Sequence, residues 1–275
     1  MIRALRLVAV LLVLPFAARA AEPTFQGPFI QGGLVQGHAA PGSTVRLDGA
    51  HVPVTEDGLF LLGFGRDAPP RVELTVVEHT GTIWHRTLVV KQRRYDVQRI
   101  DGLAEQKVAP DPEGLKRIAA DREQIAMVRG QETLVPFFLS GFQWPAFGPI
   151  SGVFGSQRIL NGQPHAPHNG VDVAAPPGTP VGAAADGVVV LAEPDMYLTG
   201  QTVLIDHGLG LTTNYLHMSE IAVKPGERVA KGQVIGRIGA TGRVSGPHLH
   251  WGATLHQTAI DPELLVGPMP TASVQ

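Results

Sequence analysis

Two short patterns in the C-terminal half of the chain contain residue types that bind metal ions. His168 precedes Asp172 by four positions, and His248 and His250 alternate around one leucine. Imidazole nitrogens and carboxylate oxygens are both good zinc ligands. Alternate side chains of a strand share a face, so His248 and His250 would project side by side. Each pattern alone also fits ordinary surface or structural residues. For His168 and Asp172 considered alone, two ordinary surface residues are the commoner case.

A third pattern is the run Thr213-Asn214-Tyr215-Leu216-His217. In a regular strand, Thr213, Tyr215 and His217 share one face, and Asn214 and Leu216 share the other. A histidine at a strand end beside a cleft can hold a proton or polarise a water. The alternative is a hydrogen-bonded structural histidine, and the run considered alone favours that alternative.

The absence of cysteine restricts the metal chemistry. With no cysteine in 275 residues, the chain cannot form disulfides, a thiolate zinc site or a cysteine nucleophile. Any metal must therefore be held by histidine and carboxylate. Gly170 lies between His168 and Asp172, and we expect it to permit the backbone bend that lets both side chains reach one ion.

Composition and charge exclude other classes of protein. Hydrophobic residues make up 44% of the chain and charged residues 17%, which is typical of a folded protein and not of a disordered one. The net charge is −2, from 22 Lys+Arg and 24 Asp+Glu. This balance gives no electrostatic argument for nucleic acid or an anionic membrane as a partner.

Residues 1–20 are interpreted as an export signal. Arg3 and Arg6 form a positive start, residues 7–18 are almost wholly apolar, and Ala18-Arg19-Ala20 offers a cleavage site before Ala21. A membrane anchor is the alternative, but the apolar run is shorter than the roughly 20 residues of a spanning helix. No later segment is long and apolar enough to span a bilayer. We expect a periplasmic or secreted protein.

Residues 21–95 are predicted to form a small β-sandwich of the immunoglobulin-like kind. The clearest strand-forming runs are residues 44–47, 59–62 and 71–77. Turn dipeptides separate such runs at hairpin intervals: Pro41-Gly42, Asp48-Gly49 and Asp57-Gly58. Four histidines in this region have no ligand spacing and are interpreted as surface or structural residues: His38, His51, His79 and His85.

Residues 96–143 are predicted to be a linker that contains one helix. Asp111 is a suitable N-cap, Pro112 suits the first helical position, and Gly130 follows the last apolar residue. The apolar residues recur at helical spacing: Leu115, Ile118, Ala119, Ile125 and Ala126. We expect this helix to pack against one domain, with a role in covering the active site as the less favoured alternative.

Residues 144–266 are predicted to form a second, mainly antiparallel β domain, followed by a flexible tail at 267–275. The region is rich in Gly and Pro, and seven of the eleven histidines lie beyond residue 160, which makes it the candidate for chemistry. Residues 181–190 read as two strands around a turn. Residues 202–205, 211–217 and 233–238 read as further strands.

The three patterns together, in this order, resemble the signature of lysostaphin/LytM-type zinc endopeptidases. The signature comprises His168-x-x-x-Asp172, Thr213-x-Tyr215-x-His217 and Gly246-Pro247-His248-x-His250. Flanking segments agree with it: Phe154-Gly155, Arg158, residues 174–181, Asp206-His207-Gly208, residues 223–236 and Gly239-Ala240-Thr241-Gly242. The resemblance covers roughly residues 144–266. It implies a C-terminal LytM-like catalytic domain with the fold of a barrel-sandwich hybrid.

The resemblance also assigns the site residues. It implies one Zn²⁺ per chain, bound by His168, Asp172 and His250, with the fourth position left for a water. His217 and His248 would be the catalytic residues that are not ligands. We take His248 to accept a proton from the zinc-bound water and His217 to stabilise the oxyanion or protonate the leaving amine, although the two roles can be exchanged.

Two further histidines are left outside the site. His165 lies three residues before His168, but only His168 has the spacing of the family to Gly170 and Asp172. His207 precedes a glycine and is interpreted as structural.

The implied function is hydrolysis of peptide cross-links in bacterial peptidoglycan. In a periplasm the bond would be a D-alanyl–diaminopimelate cross-link, whereas other family members cut glycine–glycine bonds. The alternative is a catalytically inactive LytM-like regulator that activates other wall hydrolases. An adhesive or sugar-binding role of the N-terminal domain is the weakest alternative. The expected partners are stem peptides as substrate and unidentified periplasmic regulators.

Overall fold

The computed structural model describes residues 22–131 and 133–270. The predicted export signal and residues 271–275 of the predicted tail lie outside this part of the chain. Among the described residues, no helix combines the length and apolar composition needed to cross a bilayer.

Seven strands form a two-sheet sandwich at the N-terminal end. They are β1 Thr24–Gln26, β2 Leu34–His38, β3 Thr44–Leu47, β4 Ala50–Val52, β5 Leu59–Gly63, β6 Arg71–Val77 and β7 Ile83–Val89. One sheet has the order β1-β2-β5 and the other β4-β3-β6-β7. Asp48 and Gly49 both have positive φ, at 47° and 79°, as a type I′ turn between β3 and β4 requires. The predicted sandwich strands are confirmed, and the narrower immunoglobulin-like assignment stays a prediction.

The linker region contributes β8 Val97–Ile100, α1 Glu105–Val108, α2 Pro112–Arg129 and a 3₁₀ turn at Phe137–Ser140. The predicted limits of the helix are confirmed, because the Asp111 side chain accepts a 2.7 Å hydrogen bond from the Gly114 amide and Gly130 is the C-cap. Ile118 is buried, whereas Leu115 is 55% exposed. The apolar face is therefore narrower than the spacing predicted.

The described residues after the 3₁₀ turn, up to residue 270, contain thirteen elements. They are β9 Ile150–Gly152, β10 Gln157–Leu160, β11 Gln163–Pro164, β12 Val171–Ala174, β13 Pro180–Gly182, β14 Gly187–Met196, β15 Gly200–Asp206, β16 Leu211–Ile221, β17 Arg228–Val229, β18 Val234–Ile238, β19 His248–Leu255, β20 Thr258–Ile260 and α3 Glu263–Val266.

Ten of these strands form the largest sheet, with the central order β17-β14-β15-β16-β19-β12-β9. Its strand pairs are all antiparallel, which confirms the mainly antiparallel prediction. The two strands predicted within residues 181–190 exist as β13 and β14, but each pairs with other strands. A hydrophobic core that includes Tyr215 and Trp251 lies on one face of the sheet.

The linker is part of the C-terminal architecture. Strand β8 pairs in parallel with β10, so residues 97–100 form an edge strand beside the C-terminal β region. Helix α2 lies along β14. Gln124 on α2 donates a 2.6 Å hydrogen bond to Glu193, and Ile125 and Val128 pack against Leu191 and neighbouring apolar residues.

Apolar packing joins the two β regions. Leu61 of β5 belongs to a buried cluster with Leu211 of β16 and Leu255 of β19. Beside it, Arg93 forms a 2.7 Å ion pair with Asp261, whose side chain is 3% exposed. The sandwich is therefore anchored to the end of the large sheet that lies beside β20.

Candidate metal centre

Two antiparallel strands place two of the predicted ligands opposite each other. Asp172 on β12 is the register partner of His250 on β19. Their apolar neighbours pack in the core on the other face of the sheet: Val171, Val173, Leu249 and Trp251. Because side chains alternate along a strand, burial of these neighbours forces Asp172 and His250 onto the opposite face. His168 reaches the same face from the loop before β12, where its amide donates to the Ser156 carbonyl.

The three predicted ligands meet at their side-chain tips. His168 Nε2 lies 2.8 Å from His250 Nδ1 and 3.0 Å from Asp172 Oδ1. His250 Nδ1 lies 2.9 Å from the same carboxylate oxygen. All three residues are buried. The three residues thus form a group able to hold one metal ion.

The chemistry of these atoms calls for a cation between them. His168 Nδ1 lies 3.1 Å from the Val153 carbonyl oxygen, which only accepts, so Nδ1 carries the proton and Nε2 presents a lone pair. Asp172 Oδ1 also accepts only, and His250 Nδ1 carries at most one proton. A cation satisfies all three atoms at once. Two imidazoles and one carboxylate fit zinc and leave a fourth position for a water.

The second oxygen of the carboxylate is fixed by an arginine. Arg158 Nη2 lies 2.5 Å from Asp172 Oδ2, which leaves Oδ1 as the atom that faces the two histidines. Burial would raise the pKa of Asp172, but its contacts with His168 and His250 hold it well below the ordinary value. Asp172 is therefore ionised, as a metal ligand must be.

Two glycines give the ligands room. A Cβ on Gly152 would lie 2.3 Å from Asp172 Oδ2, and one on Gly170 would lie 2.5 Å from the Trp251 carbonyl oxygen and 2.7 Å from His250 Nε2. Gly170 is absent from the positive-φ glycines. The backbone nevertheless bends at Gly170, as expected, and the missing Cβ also permits the close approach of β12 to β19.

His217 lies on the face that regular strand alternation does not predict. Thr213 and Tyr215 point to the other side, where the Thr213 hydroxyl donates to the Tyr215 hydroxyl. His217 has a φ of 66°, a left-handed conformation that is uncommon outside glycine and is often found at functional sites. This irregularity turns the His217 ring toward the metal centre, and Met218 takes the next place in the core. The predicted shared face was wrong for this reason.

The two predicted catalytic histidines lie side by side. Their ring centroids are 4.9 Å apart. Carbonyl oxygens accept from both Nδ1 atoms, Thr241 O at 2.8 Å from His217 and Gly246 O at 2.9 Å from His248. Each Nε2 therefore presents a lone pair. His248 Nε2 is 3.8 Å from Asp172 Oδ1, so this pair borders the three ligands.

Burial keeps two of the site imidazoles neutral. It lowers the pKa of His250 to about 4, although Asp172 opposes the shift. It also lowers the pKa of His217 well below the ordinary value, and the neighbouring His248 and His250 lower it further. At neutral pH both rings therefore keep a lone pair, which suits a metal ligand and a proton acceptor respectively.

Comparison with known proteins agrees with this geometry. Residues 166–262 match the model of Peptidase family M23. Residues 166–262 form a Peptidase family M23 domain. The resemblance to lysostaphin/LytM-type endopeptidases is therefore confirmed.

Two curated relatives from Vibrio cholerae match the M23 domain. The peptidoglycan DD-endopeptidase ShyA is 55% identical over 86 residues, 31% of this chain and 20% of that protein. The peptidoglycan DD-endopeptidase ShyC is 46% identical over 107 residues, 38% of this chain and 24% of that protein. The matches thus span no more than a quarter of the length of these relatives.

A solved structure shares the larger architecture. A crystal structure from Pseudomonas aeruginosa assigned to peptidase M23 aligns with 86% of this chain and 95% of that chain, with a TM-score of 0.67 and 29% identity. The likeness extends beyond the M23 domain, since that domain's match covers only residues 166–262.

A groove of about 110 Å³ opens beside the metal centre of the M23 domain. Asp172, His217 and His248 lie at one side of it. The linker contributes a wall through Gln98, Ile100 and Leu103, and the segment before β19 contributes Arg243, Val244 and Ser245. The groove can therefore present a bound chain to the two catalytic candidates.

A second groove lies on the other side of His250. It is lined by residues that include Asn169, Asn214 and Leu216, together with Ile125 and Arg129 of α2. Helix α2 therefore borders the site. It does not lie between the ligands His168 and His250 and the catalytic candidates His217 and His248.

Two other histidines of the C-terminal region, His165 and His207, lie elsewhere. His165 is outside the group of ligand atoms. His207 is fully buried, and its two nitrogens lie 2.7 Å from the Asp186 carbonyl oxygen and 2.7 Å from the Thr213 hydroxyl. Its role is structural.

Sequence reasoning assigned no role to three side chains at the site. Arg158 and Thr241 lay within recognised flanking segments, but an isolated arginine or threonine has no spacing that reveals its partner. Arg243 lies five residues before His248, and only the fold shows that it lines the groove.

Proposed function

We propose that this protein is a zinc-dependent endopeptidase that hydrolyses peptide cross-links of bacterial peptidoglycan. The observation that carries the proposal is the combination of two sets of side chains on one face. His168, Asp172 and His250 converge with the geometry of a three-ligand metal site, and the lone pairs of His217 and His248 lie beside it. Three protein ligands with a free fourth position are typical of catalytic zinc.

The chain's own residues have distinct tasks in this reaction. A zinc ion in the site supplies a Lewis acid and lowers the pKa of a water toward about 7. His248 accepts the proton of the attacking water at Nε2, because Gly246 holds its Nδ1–H. His217, whose Nδ1–H is held by the Thr241 carbonyl, would relay this proton: its Nε2 takes the proton over from His248 and then gives it to the leaving amine, or donates it in a hydrogen bond to the oxyanion.

The substrate class follows from the relatives and from the predicted export signal. The curated relatives ShyA and ShyC are named peptidoglycan DD-endopeptidases, and the first twenty residues have the pattern of a signal peptide. We therefore place the protein in the periplasm or outside the cell. The proposed bond is the D-alanyl–diaminopimelate cross-link.

A turnover assay with the purified, exported chain tests this function. Zinc-loaded protein should release uncross-linked stem peptides from sacculi, chelator should abolish the release, and added zinc should restore it. His248→Ala should keep its zinc but lose at least about 100-fold in rate, the usual contribution of a general base. His165→Ala is the matched control and should retain both zinc and rate.

The same assay separates the enzyme from the regulator alternative. An inactive activator of other hydrolases would bind sacculi without releasing peptides in any metal state. Release of products only from glycine bridges, identified by mass spectrometry, would contradict the proposed bond. Full turnover by His248→Ala would contradict the proposed base.

A further inference from the structure

The groove beside the metal centre has an unbalanced positive charge. Its charged lining residues are Arg158, Arg243 and Asp172. Arg158 pairs with Asp172, whose other oxygen faces the metal position. Within residues 22–131 and 133–270, no ion pair joins Arg243 to a carboxylate. A bound divalent cation would add further positive charge to this groove.

Arg243 has little compensation from its own surroundings. One long hydrogen bond, 3.4 Å from Nη1 to the Lys107 carbonyl oxygen, is recorded for its guanidinium. Burial lowers the pKa of Arg243, and the positive charges of Arg158 and Arg122 lower it further. An arginine nevertheless stays charged in proteins. A half-buried guanidinium among like charges would be stabilised by an incoming anion.

The position of Arg243 relates this anion to the reacting bond. Arg243 lines the same groove as His217 and His248, and the short segment 244–247 connects it to His248. A group held by Arg243 would therefore lie beside the bond that is cleaved next to these histidines. Side chains form both walls of the groove, so a peptide bound in it is partly removed from water. An ion pair between Arg243 and an anionic group of that peptide would therefore be weakly screened.

We propose that Arg243 binds a free carboxylate of the substrate on the leaving-group side of the cleaved bond. This rests on the proposed function and names its substrate more closely. In a D-alanyl–diaminopimelate cross-link, the carbon attached to the amide nitrogen of that bond carries a carboxylate. In a glycine bridge, the carbon attached to the amide nitrogen carries a carbonyl group that is part of the next, neutral amide. Arg243 thereby selects the first bond type over the second.

A matched pair of substrates tests this selection. One is a cross-linked muropeptide dimer with that carboxylate free, and the other is the same dimer with the carboxylate amidated. Zinc-loaded wild-type protein should cleave the free acid with a kcat/KM about 10- to 100-fold higher, as for one hydrogen-bonded charged group. Arg243→Gln should remove this preference by slowing cleavage of the acid only, largely through KM.

Two further variants guard against a structural effect. Arg243→Lys should keep part of the preference, because it retains the charge but not the two-pronged geometry. Arg237→Gln is the matched control: Arg237 is paired with Glu220 at 3.2 Å on the surface and does not line the groove. Each variant should contain as much zinc as the wild type.

The outcomes distinguish this inference from the proposed function. Equal cleavage of acid and amide by the wild type, or an unchanged preference in Arg243→Gln, overturns the role of Arg243 while the endopeptidase stands. If the zinc-loaded wild type cleaves neither dimer, the proposed function fails. In that case, calorimetric binding of the free-acid and amidated product peptides tests the carboxylate site. Tighter binding of the acid that is lost in Arg243→Gln supports the site, and equal binding of the two peptides overturns it.

Discussion

At the scale of single residues, the backbone at His217 shows what regular patterns leave out. The three ligand positions could be predicted from the order of the motifs, because His168, Asp172 and His250 occur at the spacing of the family. The face of His217 was not, because alternation assumes a regular strand. A φ of 66° at His217 depends on contacts made by distant residues. One such residue is Thr241.

Thr241 is predicted to position His217. Its hydroxyl donates to the Met218 carbonyl at 2.8 Å and accepts from the Gln201 amide at 2.9 Å, while its own carbonyl accepts from His217. Thr241→Val keeps the shape but removes both hydroxyl hydrogen bonds, which should lower the free energy of unfolding by about 1–3 kcal/mol. It should also reduce kcat about tenfold through a looser His217.

The control for this prediction is Thr241→Ser, which keeps the hydroxyl and should retain most of the stability and turnover. Zinc content should not change in either variant, because Thr241 touches no ligand. An unaltered kcat in Thr241→Val would show that its hydroxyl does not position His217.

A second residue prediction concerns pH and His207. Burial lowers the pKa of His207 to about 4 from the ordinary 6.5. Between these values the unfolded chain takes up a proton that the folded chain does not. Above pH 6.5 the protonation of His207 therefore does not reduce the free energy of unfolding. As the pH drops from 6.5 toward 4, it reduces that free energy by about 3 kcal/mol.

Urea unfolding of the metal-free protein between pH 7 and 4 measures this loss. His207→Asn should be less stable at pH 7, because the burial site is disturbed, but should lose less stability on acidification. His51→Asn, at an exposed position, should behave like the wild type. The same acid-dependent loss in His207→Asn and wild type would assign the effect to other groups.

At the scale of secondary structure, the site depends on how closely β12 approaches β19. A Gly170→Ala substitution would bring a Cβ to 2.5 Å from the Trp251 carbonyl and 2.7 Å from the His250 ring. Because a backbone atom cannot yield as a flexible side chain does, the strands must shift. Zinc affinity should fall about 10- to 100-fold, as it does when groups that orient a ligand are lost.

Metal titration with a competing chelator would measure that affinity. Gly246→Ala is the matched control, since nothing lies within 4 Å of its added Cβ, and its affinity should equal that of the wild type. Wild-type affinity in Gly170→Ala would mean that the strand pair tolerates the methyl group and that Gly170 is not needed for close approach.

The elements themselves were largely predictable. Asp111, Pro112 and Gly130 set the limits of α2, and turn dipeptides such as Asp48-Gly49 separated the sandwich strands. The parallel pairing of β8 with β10 was not predictable, because residues 97–100 carry no local signal of their distant partner. The linker therefore proved to contain a wall of the groove, through residues such as Gln98 and Ile100.

At the scale of the whole molecule, the sandwich and the M23 domain are packed together. Leu61 of the sandwich shares a buried cluster with Leu211 and Leu255, and the Arg93–Asp261 ion pair lies beside it. Neither contact could be found from sequence, since each joins residues separated by more than a hundred positions. The family match includes Leu211, Leu255 and Asp261 but not the sandwich, so this packing joins the matched region to a part of the chain outside it.

Zinc stoichiometry and X-ray absorption together test whether His168, Asp172 and His250 hold one zinc ion at the catalytic face. The wild type should contain one zinc per chain, with a shell of nitrogen and oxygen ligands at about 2.0–2.2 Å. His250→Ala should lose both zinc and turnover, while His248→Ala keeps its zinc. Stoichiometric zinc in His250→Ala, or an active wild type without zinc, would show that these three side chains do not form a catalytic zinc site.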